Sequence, residues 1–202
     1  MILFAGFFHD LNNRFPWSRL KKQKRDLREI LEQRRRVYDA SKAELDSQTL
    51  VERISQLPQF QQAQTVMLYM PIHNEVNLKG LLDLYEGQKT FLLPVTHRRS
   101  MQAHPYAGEE NMIRGKYHVV EPTTPPYKGS IDLILVPGVA FDKQLHRLGR
   151  GGGFYDKFLR KHPQATKMGV GYDFQIYKKV LPHSLLDVKL DAIITPTKSI
   201  GC

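Results

Sequence analysis

Ile131–Val136 reads IDLILV, and a short distance downstream Arg147–Asp156 reads RLGRGGGFYD. The first stretch is a continuous apolar run of the buried-strand type, and Phe154 to about Lys161 reads as a helix. A strand, a glycine-rich loop and a helix in that order put the loop where open α/β sheets bind ligands, past the carboxyl ends of strands and against a helix start. Gly149, Gly151, Gly152 and Gly153 permit positive φ and close backbone approach, and N–H groups at the helix start hold phosphate oxygens. Arg147 and Arg150 add fork-shaped cationic donors. Anion binding follows, because three consecutive glycines cost conformational entropy that a plain turn does not require. The loop is neither common phosphate motif: Phe154 breaks G-x-G-x-x-G at its last position, and no G-K-[ST] follows.

Working outward, Thr65–Ile72 (TVMLYMPI) and Thr90–Val95 (TFLLPV) read as strands around a helix from Leu78 to Tyr85. Lys167–Gly171 and Leu190–Thr195 (LDAIIT) supply two more strands. Residues 97–130 are polar and rich in Pro, Gly and Tyr; Met101–Ala107 reads as a hairpin strand, and Pro122, Pro125 and Pro126 mark a loop. Strands alternating with helices predict an α/β fold, a single three-layer domain whose open, mostly parallel sheet carries helices on both faces. Two N-terminal helices should pack alongside. From Arg19 to Arg36, Leu20, Leu27, Ile30, Leu31 and Val37 recur at helical spacing beside a basic outer face. Ser41 and Glu44 form a capping box for the second helix, with Leu45, Leu50, Val51 and Ile54 on its buried side and Pro58 at its end.

The chain has 202 residues, 41% hydrophobic, with a net charge of +10 that favours an anionic partner. Arg19–Arg36 holds nine basic and three acidic residues and so carries +6 of that charge. The single cysteine, Cys202, excludes an internal disulfide framework and a Cys-based zinc site. No run of roughly 18 apolar residues exists, so no transmembrane helix is expected and the cytoplasm is the expected location. Met1–Phe8 (MILFAGFF) has the apolar part of a signal peptide but no basic residues before it and no small-x-small site after it. Residues 1–19 are therefore expected to be a disordered extension or an upstream-start addition, and residues 20–202 one domain.

Other candidates are less specific. The eight histidines show no metal-ligand spacing, and none, His73 included, is assigned a role. Glu75 follows a strand in a loop where carboxylates orient substrates. Asp187 and Asp191 flank the start of the last strand as oxygen donors for a divalent cation. Tyr106, Tyr117 and Tyr172 are candidates to stack on a heteroaromatic ring.

Val136–Leu159, VPGVAFDKQLHRLGRGGGFYDKFL, closely resembles the signature of 5-formyltetrahydrofolate cyclo-ligases. Weaker similarity extends from about Lys21 to Thr197. The resemblance implies ATP- and Mg-dependent cyclisation of 5-formyltetrahydrofolate to 5,10-methenyltetrahydrofolate, with release of ADP and phosphate. The formyl oxygen would attack the γ-phosphate, and N10 would then close the ring as phosphate leaves. By position, Lys24 and Arg28 would contact the ATP phosphates, and Arg147, Leu148, Gly149, Arg150, Gly151, Gly152, Gly153, Phe154 and Tyr155 would wrap the triphosphate. Arg150 and Tyr155 would act catalytically. Met70 and Glu75 would contact the folate, bordered by Arg150–Phe154, while Asp156 and Asp187 would hold Mg. Some relatives have Lys where this chain has Gly152, and relatives often have Tyr where it has Phe154, which removes one cation and one hydroxyl here. The implied partner is 5-formyltetrahydrofolate, with or without a polyglutamate tail; a monomer with neither nucleic-acid nor membrane partner is expected. An ATP-dependent kinase of another small molecule shares the anion loop. A basic RNA-binding module would use Arg34–Arg36, but no RNA motif is present and no aromatics interleave with the basic run.

Overall fold

The structure, a computed structural model, describes residues 16–98, 100–115 and 119–201. Expectations for residues 1–15, Tyr117 and Cys202 lie outside the described residues. The apolar run of Ile131–Val136 sits at the centre, where Leu133–Pro137 (β6) pairs in parallel with Thr65–Met67 (β1) on one side and Thr166–Val170 (β9) on the other. Parallel pairing continues outward from β1 to Thr90–His97 (β2) and from β9 to Ala192–Ile194 (β11). Antiparallel edge strands Ser100–Pro105 (β3) and Ser199–Ile200 (β12) close a seven-stranded sheet in the order β12-β11-β9-β6-β1-β2-β3.

Alternation along β6 divides the core. Leu133 and Leu135 point to one face with Val66, Leu93, Met168 and Ile194, against Ala40–Ser55 (α2), Pro58–Gln62 (α3) and Lys79–Leu84 (α4). Ile134 and Val136 point to the other with Met67, Leu92 and Ile193, against Phe158 and Leu159 of Phe154–Lys161 (α5). A side-chain period of two on strands buried on both faces produces this three-layer α/β arrangement, as expected.

Four details differ from the sequence expectations. Strand pairing ends at Met67 rather than Ile72: Pro71 lacks an N–H, and His73 and Asn74 take positive φ of 48° and 61°, which turns the chain out of the sheet. The α2 cap is Asp39, whose carboxylate accepts from the Lys42 N–H at 2.8 Å, and Ser41 lies inside the helix. The buried stripe Ala43, Ser47, Leu50, Val51, Ile54 leaves Leu45 on the opposite side, 61% exposed. Pro16–Arg36 (α1) begins three residues before Arg19, because Pro16 occupies a first-turn position at which a missing N–H costs nothing.

The stretch 97–130 folds partly as a two-stranded ribbon of Met112–Arg114 (β4) and Val120–Pro122 (β5). A second small sheet joins Ala140–Asp142 (β7) and Arg147–Leu148 (β8), which lie between β6 and the glycine loop in sequence, to Ile176–Tyr177 (β10) from beyond β9. Leu31 of α1 packs on it with Val139, Ala140, Leu148 and Leu181. That contact sets the rotation of α1. Ile30 and Val37 are exposed, whereas Arg35 is 2% exposed and Lys24 and Arg28 are half-buried, so three cations of the basic run point inward.

Candidate active site

The inward face of α1, the glycine loop and the chain leaving β1 enclose a cleft of about 820 Å3. It is lined by every residue that the family resemblance implied for nucleotide, folate or metal: Lys24, Arg28, Met70, Glu75, Asp187 and the whole of Arg147–Asp156. The loop is built as its glycines require. Gly151 has φ of 104° and Gly153, at the start of α5, has φ of 67°, conformations a side chain resists. A Cβ on Gly151 would also lie 3.4 Å from the guanidinium carbon of Arg28.

Arg28 ties α1 to the loop by donating from Nε to the Gly149 carbonyl at 2.7 Å. Burial pulls its guanidinium value down, opposed by the nearby Asp187 and Glu32 carboxylates. Arg147 is buried and donates to Asp156 at 3.0 Å and to the Pro137 carbonyl at 3.3 Å, with its guanidinium carbon 5.4 Å from the Tyr155 ring centre. Leu148 lines the cleft, but its side chain belongs to the small core under α1 and its carbonyl accepts from the Val139 N–H. Behind Arg147, Asp142 braces the β7–β8 turn by accepting from the N–H groups of Gln144, His146 and Leu181 and from the His146 ring. Burial alone would raise the Asp142 carboxyl, but these hydrogen bonds outweigh it and hold it below the ordinary value.

Arg150 and Glu75 meet directly, from elements 75 residues apart. Glu75 Oε1 accepts from Arg150 Nη2 at 2.9 Å and Nε at 3.2 Å and from Arg35 at 3.4 Å, while Oε2 accepts from the Ile72 N–H at 3.2 Å. Glu32 completes a ring of alternating charge, 3.2 Å from Arg150 and 3.5 Å from Arg35. Arg35 and Glu75 are deeply buried, whereas the Arg150 side chain stays 33% exposed and faces the cleft. Tyr155 presents a buried hydroxyl with no hydrogen-bond partner among the described residues. Burial pushes its phenol up, and Glu75 adds to the effect, so the group is held protonated and able to donate.

Two of the aspartates expected at a metal, Asp156 and Asp187, line the same cleft and are each partnered. Asp156 accepts from Arg147 and from the Val188 N–H at 3.1 Å; Asp187 accepts from Lys24 and from the N–H of Ser184 at 2.6 Å. Burial would raise the Asp187 carboxyl, but the Lys24 and Ser184 hydrogen bonds hold it low. Among the described residues no group of three or more His, Cys, Asp and Glu is placed to hold a metal. Carboxylate oxygens are the donor type that Mg takes, and here each is neutralised by a cation, Asp156 by Arg147 and Asp187 by Lys24.

The sequence profile of the 5-formyltetrahydrofolate cyclo-ligase family matches residues 20–196. The chain belongs to this family. The probable 5-formyltetrahydrofolate cyclo-ligase of Schizosaccharomyces pombe is 30% identical over 178 residues, covering 77% of this chain and 87% of the relative. The 5-formyltetrahydrofolate cyclo-ligase of Escherichia coli K12 is 29% identical over 182 residues, 84% of this chain and 98% of the relative. In three dimensions, the Aquifex aeolicus 5,10-methenyltetrahydrofolate synthetase superposes with a TM-score of 0.78 at 28% identity, over 88% of this chain and 91% of its own. The Mycoplasma pneumoniae 5,10-methenyltetrahydrofolate synthetase does so at 0.68 and 25% identity, over 86% and 98%. The family assigns the chain to the ligases of folate one-carbon metabolism, with 5-formyltetrahydrofolate cyclo-ligase activity.

Several sequence candidates fall outside the cleft. Asp191 accepts from the Lys167 N–H at 2.7 Å and pairs with its ammonium, so its carboxylate serves the β9–β11 junction. Tyr172 is fully buried against Tyr38 and Phe174, and Tyr106 packs on the same core. Conversely, sequence reasoning passed over Glu32, Arg35 and Trp17. Arg35 sits in the run Arg34–Arg36, and only its register with Leu31, four residues earlier, distinguishes it from its two exposed neighbours. No described helix is long and apolar enough to cross a membrane.

Proposed function

We propose that the cleft performs the cyclisation by ATP-dependent phosphorylation of the formyl oxygen. The observation that supports this reading is the contact of Arg150 with Glu75 inside one cleft, where the guanidinium would meet phosphate and the carboxylate the folate. Lys24, Arg28 and the loop N–H groups hold the triphosphate, and Arg147 and Tyr155 border it. The formyl oxygen attacks the γ-phosphorus, ADP leaves, and the formyl carbon becomes an iminium carrying phosphate. N10 attacks that carbon, loses its proton, and phosphate departs with the former formyl oxygen. Little covalent chemistry is asked of the protein, so its contribution is positioning and neutralisation of phosphoryl charge.

Arg150 is the group able to change partners. Turning from Glu75 to the phosphoryl oxygens, it releases Glu75 Oε1 to accept from pterin N–H groups, while buried Arg35 keeps that carboxylate in place. The protonated Tyr155 hydroxyl donates to an oxygen of the transferred group. Asp156 and Asp187 would hold Mg, which when bound offsets triphosphate charge. Substrate carrying 18O in the formyl group tests the route: one labelled oxygen is expected in the inorganic phosphate released per methenyl product. Unlabelled phosphate, with the label lost to water, would overturn phosphorylation at that oxygen.

A further inference from the structure

We propose that Trp17 and Leu186 form an apolar wall that stacks on the base of the nucleotide, a site built partly from residues preceding the family match at residue 20. Both are large, exposed apolar side chains, at 61% and 59%, and both line the cleft from opposite elements. Sharing the lining of one charged cleft, the two side chains offer a flat apolar part of a ligand a surface to rest on. On α1 the cleft-lining residues Trp17, Leu20, Lys21, Lys24 and Arg28 follow one helical face. Arg28 is tied to the glycine loop, and Trp17 lies eleven residues away, about 16 Å along the axis at 1.5 Å per residue. The face thus grades from guanidinium through ammonium groups to indole, the order of phosphates and base along a nucleoside triphosphate.

The opposite side of the wall is fixed. The Leu186 carbonyl accepts from Arg160 at 2.7 Å, its N–H donates to Ser184 Oγ at 3.3 Å, and the adjacent Asp187 is paired with Lys24. The folate-side residues Met70 and Glu75 lie instead on the chain leaving β1, so the wall falls at the nucleotide end. Stacking on an indole is worth enough per base to matter and asks for no particular hydrogen-bond pattern.

The inference rests on the ATP reading above, and its test separates the two. Trp17 is the only tryptophan, so emission excited at its red edge reports on this wall alone. ADP is expected to shift and quench that emission, whereas inorganic tripolyphosphate, shown by calorimetry to occupy the phosphate site, leaves it unchanged. Trp17→Ala should raise the calorimetric Kd for ADP by about fivefold to tenfold, the low end of base–aromatic stacking. The Kd for tripolyphosphate should not follow, and Trp17→Phe should restore ADP binding. ADP binding with silent emission, or an equal response to tripolyphosphate, overturns the wall while leaving the ATP reading intact. Failure of ADP to bind at all overturns the reading beneath it.

Discussion

Arg150→Ala is expected to lower kcat by about 10³-fold, in the range seen when an arginine that stabilises a transferring phosphoryl group is removed. The fold should survive. Arg150 is 33% exposed, and its partner Glu75 retains Arg35 and the Ile72 N–H, so the loss of stability should not exceed about 1 kcal/mol. Steady-state turnover and a thermal melt on the same preparation check both halves. Arg150→Lys should recover only part of the rate, because an ammonium supplies charge without the planar fork that now reaches Glu75 and Glu32 together. Turnover within tenfold of the parent would remove Arg150 from the phosphoryl-transfer step.

Asp156→Asn should cost about 10²-fold or more in turnover and raise the Mg concentration needed for half-maximal rate, as expected when a charged ligand shared with phosphate oxygens is lost. This side chain has a second task. It neutralises Arg147, whose side chain is 4% exposed, and accepts from the Val188 N–H. Asn keeps an acceptor for that N–H but leaves the guanidinium without its counter-charge, and breaking a buried pair costs about 3 kcal/mol. A lower melting temperature together with a displaced Mg titration is therefore the expected signature. A lower melting temperature with an unchanged Mg titration would make Asp156 a structural partner of Arg147 alone.

The centre of the molecule was legible because local and long-range demands agree there. Leu133–Pro137 and Phe154–Lys161 are a short apolar strand and an amphipathic helix in sequence, and burial on both sides of the sheet leaves them no alternative. The glycine loop was legible for a related reason: its composition is unfavourable without a ligand to approach. What escaped reading depends on helix rotation and on pairing across long separations. The apolar positions of α1 predict a stripe, but which cations flank it inward is decided by Leu31 docking on Val139, Ala140 and Leu148, a sheet of strands as short as two residues that no local pattern announces. Arg35 and Glu32 consequently looked like members of a solvated charge run. Asp39 displaced Ser41 as the α2 cap because both types satisfy the helix start, and the choice between them lies in the turn that precedes it. Asp187 and Asp191 show the limit for single carboxylates, since at four residues' separation one faces the cleft and the other a backbone N–H of β9.

The most direct measurement of the central claim is near-UV absorbance of the purified full chain with 5-formyltetrahydrofolate, Mg and ATP, alongside the same mixture without ATP. A methenyl absorption band that grows only when ATP is present is the predicted result. A folded protein that binds ATP and produces no such band would contradict it.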